Sequence, residues 1–373
     1  MKLCILELSS YYDRGRSCFN DTCLFVDAIK DKVEKILWIC NDNVKDIVSR
    51  LNKKVELLPI KVKNQSYGRY LSFAADWYLY NLLDDKVLNL SEYDILYVSY
   101  TSNSIAKTYG TIVFPKNVKV VYRIHAYDAG FTPETTVSYE DSIIRDFINL
   151  YYADVILVPT LAAKYEILEG LYKIGDKKVV KKIGNKMYKI PLLVKIDNII
   201  NNRPCTEKIY DICFPHNILQ KRKRFDFFVK CLDELEKKNK YYKVVFTSEL
   251  PNGFCLKYRN LQIFQTNRDY NTYLDTLYKS KIVVNTSDYE IGSTVTLEAL
   301  AAGCKILTTN KVVREIMHDL RAKNFYFNDE KEFVKYCELL IDKNESQNID
   351  YKLLRQLDYK IISNKILKIF KTL

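Results

Sequence analysis

Glycine and proline are scarce in this chain, 10 and 8 among 373 residues, and histidine occurs 3 times. That composition excludes a collagen-like or low-complexity chain. The 10 cysteines form no C-x-x-C pair and no Cys/His spacing of the kind that ligates zinc, so a small zinc-built module is excluded too. Several of them, such as Cys4, Cys40, Cys213 and Cys304, sit inside apolar runs and are read as buried thiols acting as small hydrophobes, with a disulfide between some of the cysteines as the alternative. No run of about 18 apolar residues occurs, so no membrane-spanning helix is expected. The N-terminal MKLCILELSS leads into charged residues rather than a small-residue cleavage site. The chain is read as soluble and cytoplasmic, with the inner membrane surface as a further place of action.

What the chain does have is 48% hydrophobic and 28% charged residues, enough to bury a substantial core. Its length suits two domains of roughly 150 to 190 residues each. The net charge is +12, with two local concentrations. Lys173, Lys177, Lys178, Lys181, Lys182, Lys186 and Lys189 crowd one segment, and KRKR occupies 221–224. Basic clusters form solvated faces, or meet anionic lipid, nucleic acid or a diphosphate. For the first cluster a solvated face and a membrane-facing patch are the two readings kept.

Short β-branched and aromatic runs alternate with helix-length amphipathic segments, the pattern of parallel sheets covered by helices. The first half offers KLCILEL, KILWIC, VELLPI, DILYVSY, VKVVYRIHA and DVILVPT as strands. The second offers YDICFPH, YYKVVFTS, LQIFQ, KIVVNTS, CKILTT and NFYF. Helical stretches lie between them, among them 70–88, 139–152, 225–239, 270–279 and 296–303. The alternation fades in the middle, which predicts two doubly wound domains, 1–190 and 209–349, joined by a linker at 191–208. From Asp350 onward, Leu354, Leu357, Ile361, Ile362, Ile366 and Ile369 recur at helical spacing and predict a C-terminal helix over 350–373 that packs back on the body.

In open parallel sheets, ligands bind beyond the carboxyl ends of the strands. The stretch SDYEIGSTVTLEALAAGCKILTTN stands at such a place, with Glu290 on the loop after KIVVNTS and Glu298 in the first turns of the next helix. Gly292, Ser293 and Thr294 lie between them, where exposed amides of a helix start attract anions. A carboxylate there can accept hydrogen bonds from vicinal hydroxyls. The plain alternative is a solvated loop residue and a helix start favoured by the macrodipole.

The same stretch resembles the signature of the retaining GT-B glycosyltransferases of family 4: Glu, seven residues, Glu, then a small-residue helix ending in Gly and a following strand. Glu290, Glu298, Ala299, Ala302, Gly303 and KILTTN match it in order. The resemblance implies two Rossmann-like domains with a cleft between them. It also implies transfer of a sugar, a hexose, from a nucleotide diphosphate donor to a hydroxyl acceptor with retention. Glu290 would face the donor sugar and Glu298 the ribose. The family has glycines directly after the first Glu and two positions later, whereas Ile291 and Ser293 stand there and the glycine is Gly292 between them.

FPHNILQKRKRFDFF resembles the family's diphosphate clamp, with His216 near the arginine position and Lys223-Arg224 near the lysine-glycine position. Lys223 is the first choice for the leaving diphosphate and Arg222 the alternative, since the departing group gathers negative charge. A plain solvated or nucleic-acid-binding run is the other reading of KRKR, and its position beyond a strand end favours the diphosphate. His125, at the end of VVYRIHAYD, matches a family histidine near the anomeric centre, although a lone strand histidine is more often a core residue. Asp128 follows it as a substrate-orienting or loop-capping residue.

Gly15, between Arg14 and Arg16 in SSYYDRGRSCFND, is placed as the flexible turn of the first loop. Tyr100 to Asn103 are placed at an acceptor cleft or a helix cap. No D-x-D sequence occurs, which fits the family's metal-independent mechanism, and no cofactor beyond the donor is expected. An inverting GT-B enzyme, a nucleotide-sugar epimerase, and a non-catalytic nucleic-acid-binding descendant are the alternatives.

Overall fold

The structure, a computed structural model, describes residues 1–7, 17–42, 55–60, 87–99, 115–125, 147–205, 207–266 and 269–373. Gly15, Arg14, Arg16, Asp128, the stretch 100–103, the segment 70–88 except its last two residues, and most of 139–152 lie outside the described residues. The chain divides into two compact units. One holds Met1–Leu193 with Tyr359–Leu373, the other Val194–Asp358.

The first unit is built on seven strands: β1 (Lys2–Glu7), β2 (Lys35–Asn41), β3 (Val55–Ile60), β4 (Ile95–Ser99), β5 (Lys119–Arg123), β6 (Val155–Val158) and β7 (Met187–Lys189). Their spatial order is β3-β2-β1-β4-β5-β6-β7, and every pairing is parallel. The strands are near-continuous apolar runs because helices cover both faces of such a sheet. Leu3, Cys4, Ile5 and Leu6 are all buried, as are Leu96, Tyr97 and Val98. The helix Tyr359–Phe370 packs against the helix Ser17–Ile29, setting Phe370 against Phe25 and Tyr97 at 6.0 Å each.

The second unit has six strands: β8 (Tyr210–Phe214), β9 (Tyr242–Phe246), β10 (Leu261–Gln265), β11 (Ser280–Asn285), β12 (Lys305–Thr308) and β13 (Phe325–Tyr326). They are parallel in the order β10-β9-β8-β11-β12-β13. Its core clusters Phe214, Phe228, Phe246, Phe327 and Phe333 with aliphatic neighbours. In each unit the order runs outward both ways from a central pair, β1 and β4 or β8 and β11. That pair is the topological switch point, where the flanking loops diverge and leave room for a ligand.

All twelve strands expected from sequence are present, and the parallel doubly wound class with them. Two segments differ from the sequence reading. Residues 191–208, read as linker, contain the helix Ile196–Asn201, which buries Ile196 and Ile199. The stretch 350–373, read as one helix, is two: Tyr351–Arg355 in the second unit and Tyr359–Phe370 in the first. Among the described cysteines, Cys4, Cys40, Cys213 and Cys304 are buried free thiols, the state their apolar neighbours predict.

Candidate donor site

The second unit's switch point gathers four of the residues singled out above. After β8 the chain passes His216, makes a single 3-10 turn over Lys221–Lys223, and enters the helix Phe225–Glu236 through Arg224, whose backbone is left-handed at φ 49°. Ring packing fixes this path. Phe214 stacks on Phe228 at 4.5 Å and meets His216 edge-on at 5.1 Å, while the Arg224 guanidinium lies 4.3 Å over Phe227.

The loop after β11 is stitched to that turn. Asp288 N–H donates to Arg222 O at 2.9 Å, the Thr286 hydroxyl donates to Lys223 O at 2.7 Å, and Arg222 Nη1 donates to Tyr289 O at 3.4 Å. One backbone bond and two side-chain-to-carbonyl bonds thus hold the two loops together and satisfy three backbone carbonyls and one amide near the turn.

Lys223 thereby meets Glu290 in a direct ion pair, with side chains only 9% and 12% exposed. Burial pushes the Glu290 carboxyl up, but the charges of Lys223 and then Arg222 outweigh it and hold the group at about 2. The carboxylate is therefore ionised at neutral pH. His216 is buried, and burial together with the charge of Lys223 pushes its imidazole down to about 3. Its Nε2 has no hydrogen-bond partner among the described residues. A neutral imidazole supplies a hydrogen bond but no charge, so Lys223 and Arg222 are the cations of this cluster.

The helix Thr294–Ala301 begins beside Glu290. Ser293 is its N-cap by position, yet its hydroxyl accepts from Asn285 Nδ2 at 3.3 Å and from Thr296 Oγ1 at 2.9 Å rather than capping an amide. Ser293 O accepts from the amides of Thr296 and Leu297. Thr294 and Val295, in the first turn, have no intrahelical acceptor for theirs. Gly292 and Ser293 are buried, and Thr294 is half-buried.

Glu298, one turn further on, is held by two tyrosines that the sequence reading did not single out. Tyr273 Oη donates to Glu298 Oε2 at 2.8 Å, and Tyr270 Oη donates to Oε1 at 3.3 Å. Burial pushes this carboxyl up to about 7, against the two hydroxyls that favour its ionised form. The signal for the pair is the YNTY spacing at the start of the helix Tyr270–Tyr278. Residues three apart share a helix face, and here that face meets the next helix.

His125 lies in the first unit and is described with that unit alone. Its side chain is fully buried, Nε2 standing 3.3 Å from Ser99 Oγ and 3.5 Å from Asp21 Oδ2. Nδ1 has no partner among the described residues. Burial pushes its imidazole down to about 4 despite Asp21.

Beside it Arg123 and Asp21 form a buried two-point ion pair at 3.1 Å and 3.1 Å. Arg123 donates onward to Ile190 O at 2.6 Å and Pro191 O at 2.7 Å, and Leu193 N–H donates to Asp21 at 2.6 Å. The buried charges are fully paired, as burial demands, and together they pin residues 190–193, where the chain leaves the first unit. Among the described residues no cluster of His, Cys, Asp and Glu is arranged to hold a metal ion.

No protein-family model matches the chain, and no curated protein matches it. Solved structures match over its full length. HepE of Anabaena, in complex with UDP and glucose, superposes with TM-score 0.68 at 14% identity, covering 100% of both chains. Sucrose-phosphate synthase of Thermosynechococcus elongatus gives TM-score 0.74 at 10% identity, covering 100% of this chain and 98% of the other. A Listeria monocytogenes protein assigned as a UDP-N-acetylglucosamine 2-epimerase gives 0.59 at 13%, covering 100% and 96%. The fold is the GT-B architecture, two parallel-sheet α/β domains.

Proposed function

We propose that the protein is a retaining, metal-independent glycosyltransferase that moves a hexose from a nucleotide diphosphate donor to a hydroxyl acceptor. The observation that carries this reading is the Lys223–Glu290 pair with Arg222 and His216, at the switch point of the second unit. A cation there neutralises the leaving diphosphate, and a buried ionised carboxylate beside it accepts hydrogen bonds from sugar hydroxyls.

Glu298 takes the ribose hydroxyls, and the first-turn amides after Ser293 and Gly292 face an anion. The family resemblance assigns His125 to the anomeric side of the donor sugar and Gly15 to the turn of the first loop, and both assignments belong to this proposal. In the transfer the bond from C1 to the phosphate oxygen breaks, its electron pair leaving on the diphosphate. The acceptor oxygen bonds C1 on the same face, and its proton passes to the leaving phosphate. The domain boundaries that go with this reading place the acceptor side in the first domain and the donor side in the second.

The likeness to HepE crystallised with UDP and glucose supports a UDP-sugar donor. A nucleotide-sugar epimerase is the second reading, because the Listeria protein shares the fold. The KRKR run does not favour a nucleic-acid-binding descendant, since Lys223 is buried in its ion pair.

A thermal-shift panel of nucleotides and nucleotide sugars tests donor binding, which raises Tm by mass action. Glu298→Gln is expected to reduce the UDP-dependent shift while leaving the fold intact, and an equal shift in mutant and parent removes the ribose assignment. The anomeric configuration of the product, read by NMR, separates retention from inversion. A C2-inverted free sugar nucleotide selects the epimerase.

A further inference from the structure

The lysine-rich segment that the donor site does not use has a definite place in the first unit. The helix Lys177–Asn185 buries Val180, Ile183 and Gly184 and turns Lys177, Lys178, Lys181 and Lys182 to solvent, with Lys173 exposed just before it. These five lysines make no ion pair with any described residue. Exposed hydrophobic side chains are frequent in the same stretch of sequence. Of the fifteen large ones exposed among the described residues, seven fall within 151–188: Tyr151, Tyr152, Leu161, Tyr165, Tyr172, Ile174 and Tyr188. Tyr172 and Ile174, 47% and 44% exposed, flank Lys173 immediately before the lysine helix, and Tyr188 stands on β7, an edge strand of the sheet.

Topology fixes where this region faces. β6 and β7 are parallel, so the chain between them must return from the carboxyl end of β6 to the amino end of β7. The helix Leu161–Tyr172 makes that return, which leaves Tyr172 to Asp176 and the lysine helix toward the amino ends of the strands. The patch therefore stands away from the carboxyl ends, where a doubly wound sheet binds its ligands.

We propose that this edge of the first unit is a docking surface for an anionic lipid bilayer. Lysine ammonium groups meet the charged headgroups while Tyr172, Ile174 and Tyr188 enter the interface, and the ligand-binding end stays clear of the membrane. Clustered lysines gain from an anionic surface, each by about fivefold in partitioning, and amphipathic aromatic rings settle at headgroup depth.

Charge complementarity selects lipid over nucleic acid through residue type. Residues 147–202 contain no arginine, the residue whose planar fork suits phosphate and base edges, and the exposed apolar groups include aliphatics that offer bases no stacking face. This is a tether rather than an acceptor site, so it stands independently of the glycosyltransferase reading.

The test is co-sedimentation of the full chain with large vesicles of phosphatidylcholine alone or mixed in equal parts with phosphatidylglycerol, beside binding to a single-stranded RNA. The parent is expected to bind only the anionic vesicles, and high salt to release it. Lys177→Gln, Lys178→Gln, Lys181→Gln and Lys182→Gln together are expected to cut that binding about a hundredfold or more. Tyr172→Ser with Ile174→Ser, which leaves the charge intact, is expected to cut it as well. Both variants should show the parent's circular dichroism and melting curve, since the changed side chains are exposed. Absence of anionic-vesicle binding by the parent overturns the proposal. So does binding that survives the lysine changes, or RNA binding that outlasts vesicle binding in the same salt series.

Discussion

The Glu290 carboxylate is the anion that Lys223 holds, so a diphosphate drawn to the same lysine must compete with it. Glu290→Gln keeps the shape and removes the competing charge. Inorganic pyrophosphate or UDP is expected to bind about tenfold more tightly to this variant, by roughly 1.4 kcal/mol, while sugar transfer falls. Calorimetric titration decides it, and weaker or unchanged pyrophosphate binding means that the ion pair is only structural. Acid stability gives a second view of the pair. With the Glu290 carboxyl lowered from 4.5 to about 2, its contribution is complete above pH 4.5 and is lost as pH falls toward 2.

Glu298 has the opposite sign, since its carboxyl is raised from 4.5 to about 7. The folded state keeps a proton that the unfolded chain has released, so this stabilisation is full below pH 4.5 and lost as pH rises to 7. Urea melts of Glu298→Gln should lack that slope. Affinity for a ribose that needs two acceptors should weaken below pH 7 in the parent and stay flat in the variant. Both glutamates stand out as candidates by their spacing around Gly292, whereas the spacing of Tyr270 and Tyr273 marks only a shared helix face. Contact between two helices is a tertiary fact that YNTY does not announce.

At the scale of elements, runs of β-branched and aromatic residues marked twelve strands because a doubly covered sheet leaves few polar positions inside. β7 escaped because MYK is three residues long and lies among lysines. Helix ends carry their own chemistry. The helix Thr294–Ala301 closes at Gly303, whose left-handed backbone at φ 79° returns Cys304 N–H to Ala299 O at 2.8 Å. A Cβ there would stand 2.1 Å from the Arg203 guanidinium. Gly303→Ala is expected to cost about 1 kcal/mol in backbone strain beyond whatever Arg203 gives by moving. The double variant with Arg203→Ala should therefore recover only part of the loss in denaturant melts, and full recovery would put the whole cost in the side-chain clash. The Arg123–Asp21 pair is the stronger staple. Arg123→Met strands a buried carboxylate and should destabilise the first unit by about 3 kcal/mol, read as a drop in its unfolding midpoint.

For the whole molecule, the sequence showed two doubly wound domains because the alternation of strand and helix breaks in the middle. It could not show that the chain end is shared out, because amphipathic spacing identifies a buried face without naming its partner. Tyr359, Ile362, Ile366, Leu367 and Phe370 are buried, and Tyr359 Oη donates to Asp27 at 3.0 Å in the first unit. Five such side chains contribute roughly 10 kcal/mol as an upper estimate, comparable with the roughly 5 to 15 kcal/mol that stabilises a domain. Ending the chain after Asp358 should therefore unfold the first unit selectively. The second unit keeps its own core around Phe214, Phe228 and Phe246 and should survive. Hydrogen exchange distinguishes the two: amides of β1 are expected to lose protection while those of β11 keep it. Retained protection in β1 would mean that the first unit's core is complete without the last helix, and loss in both strands would mean that the two units fold as one.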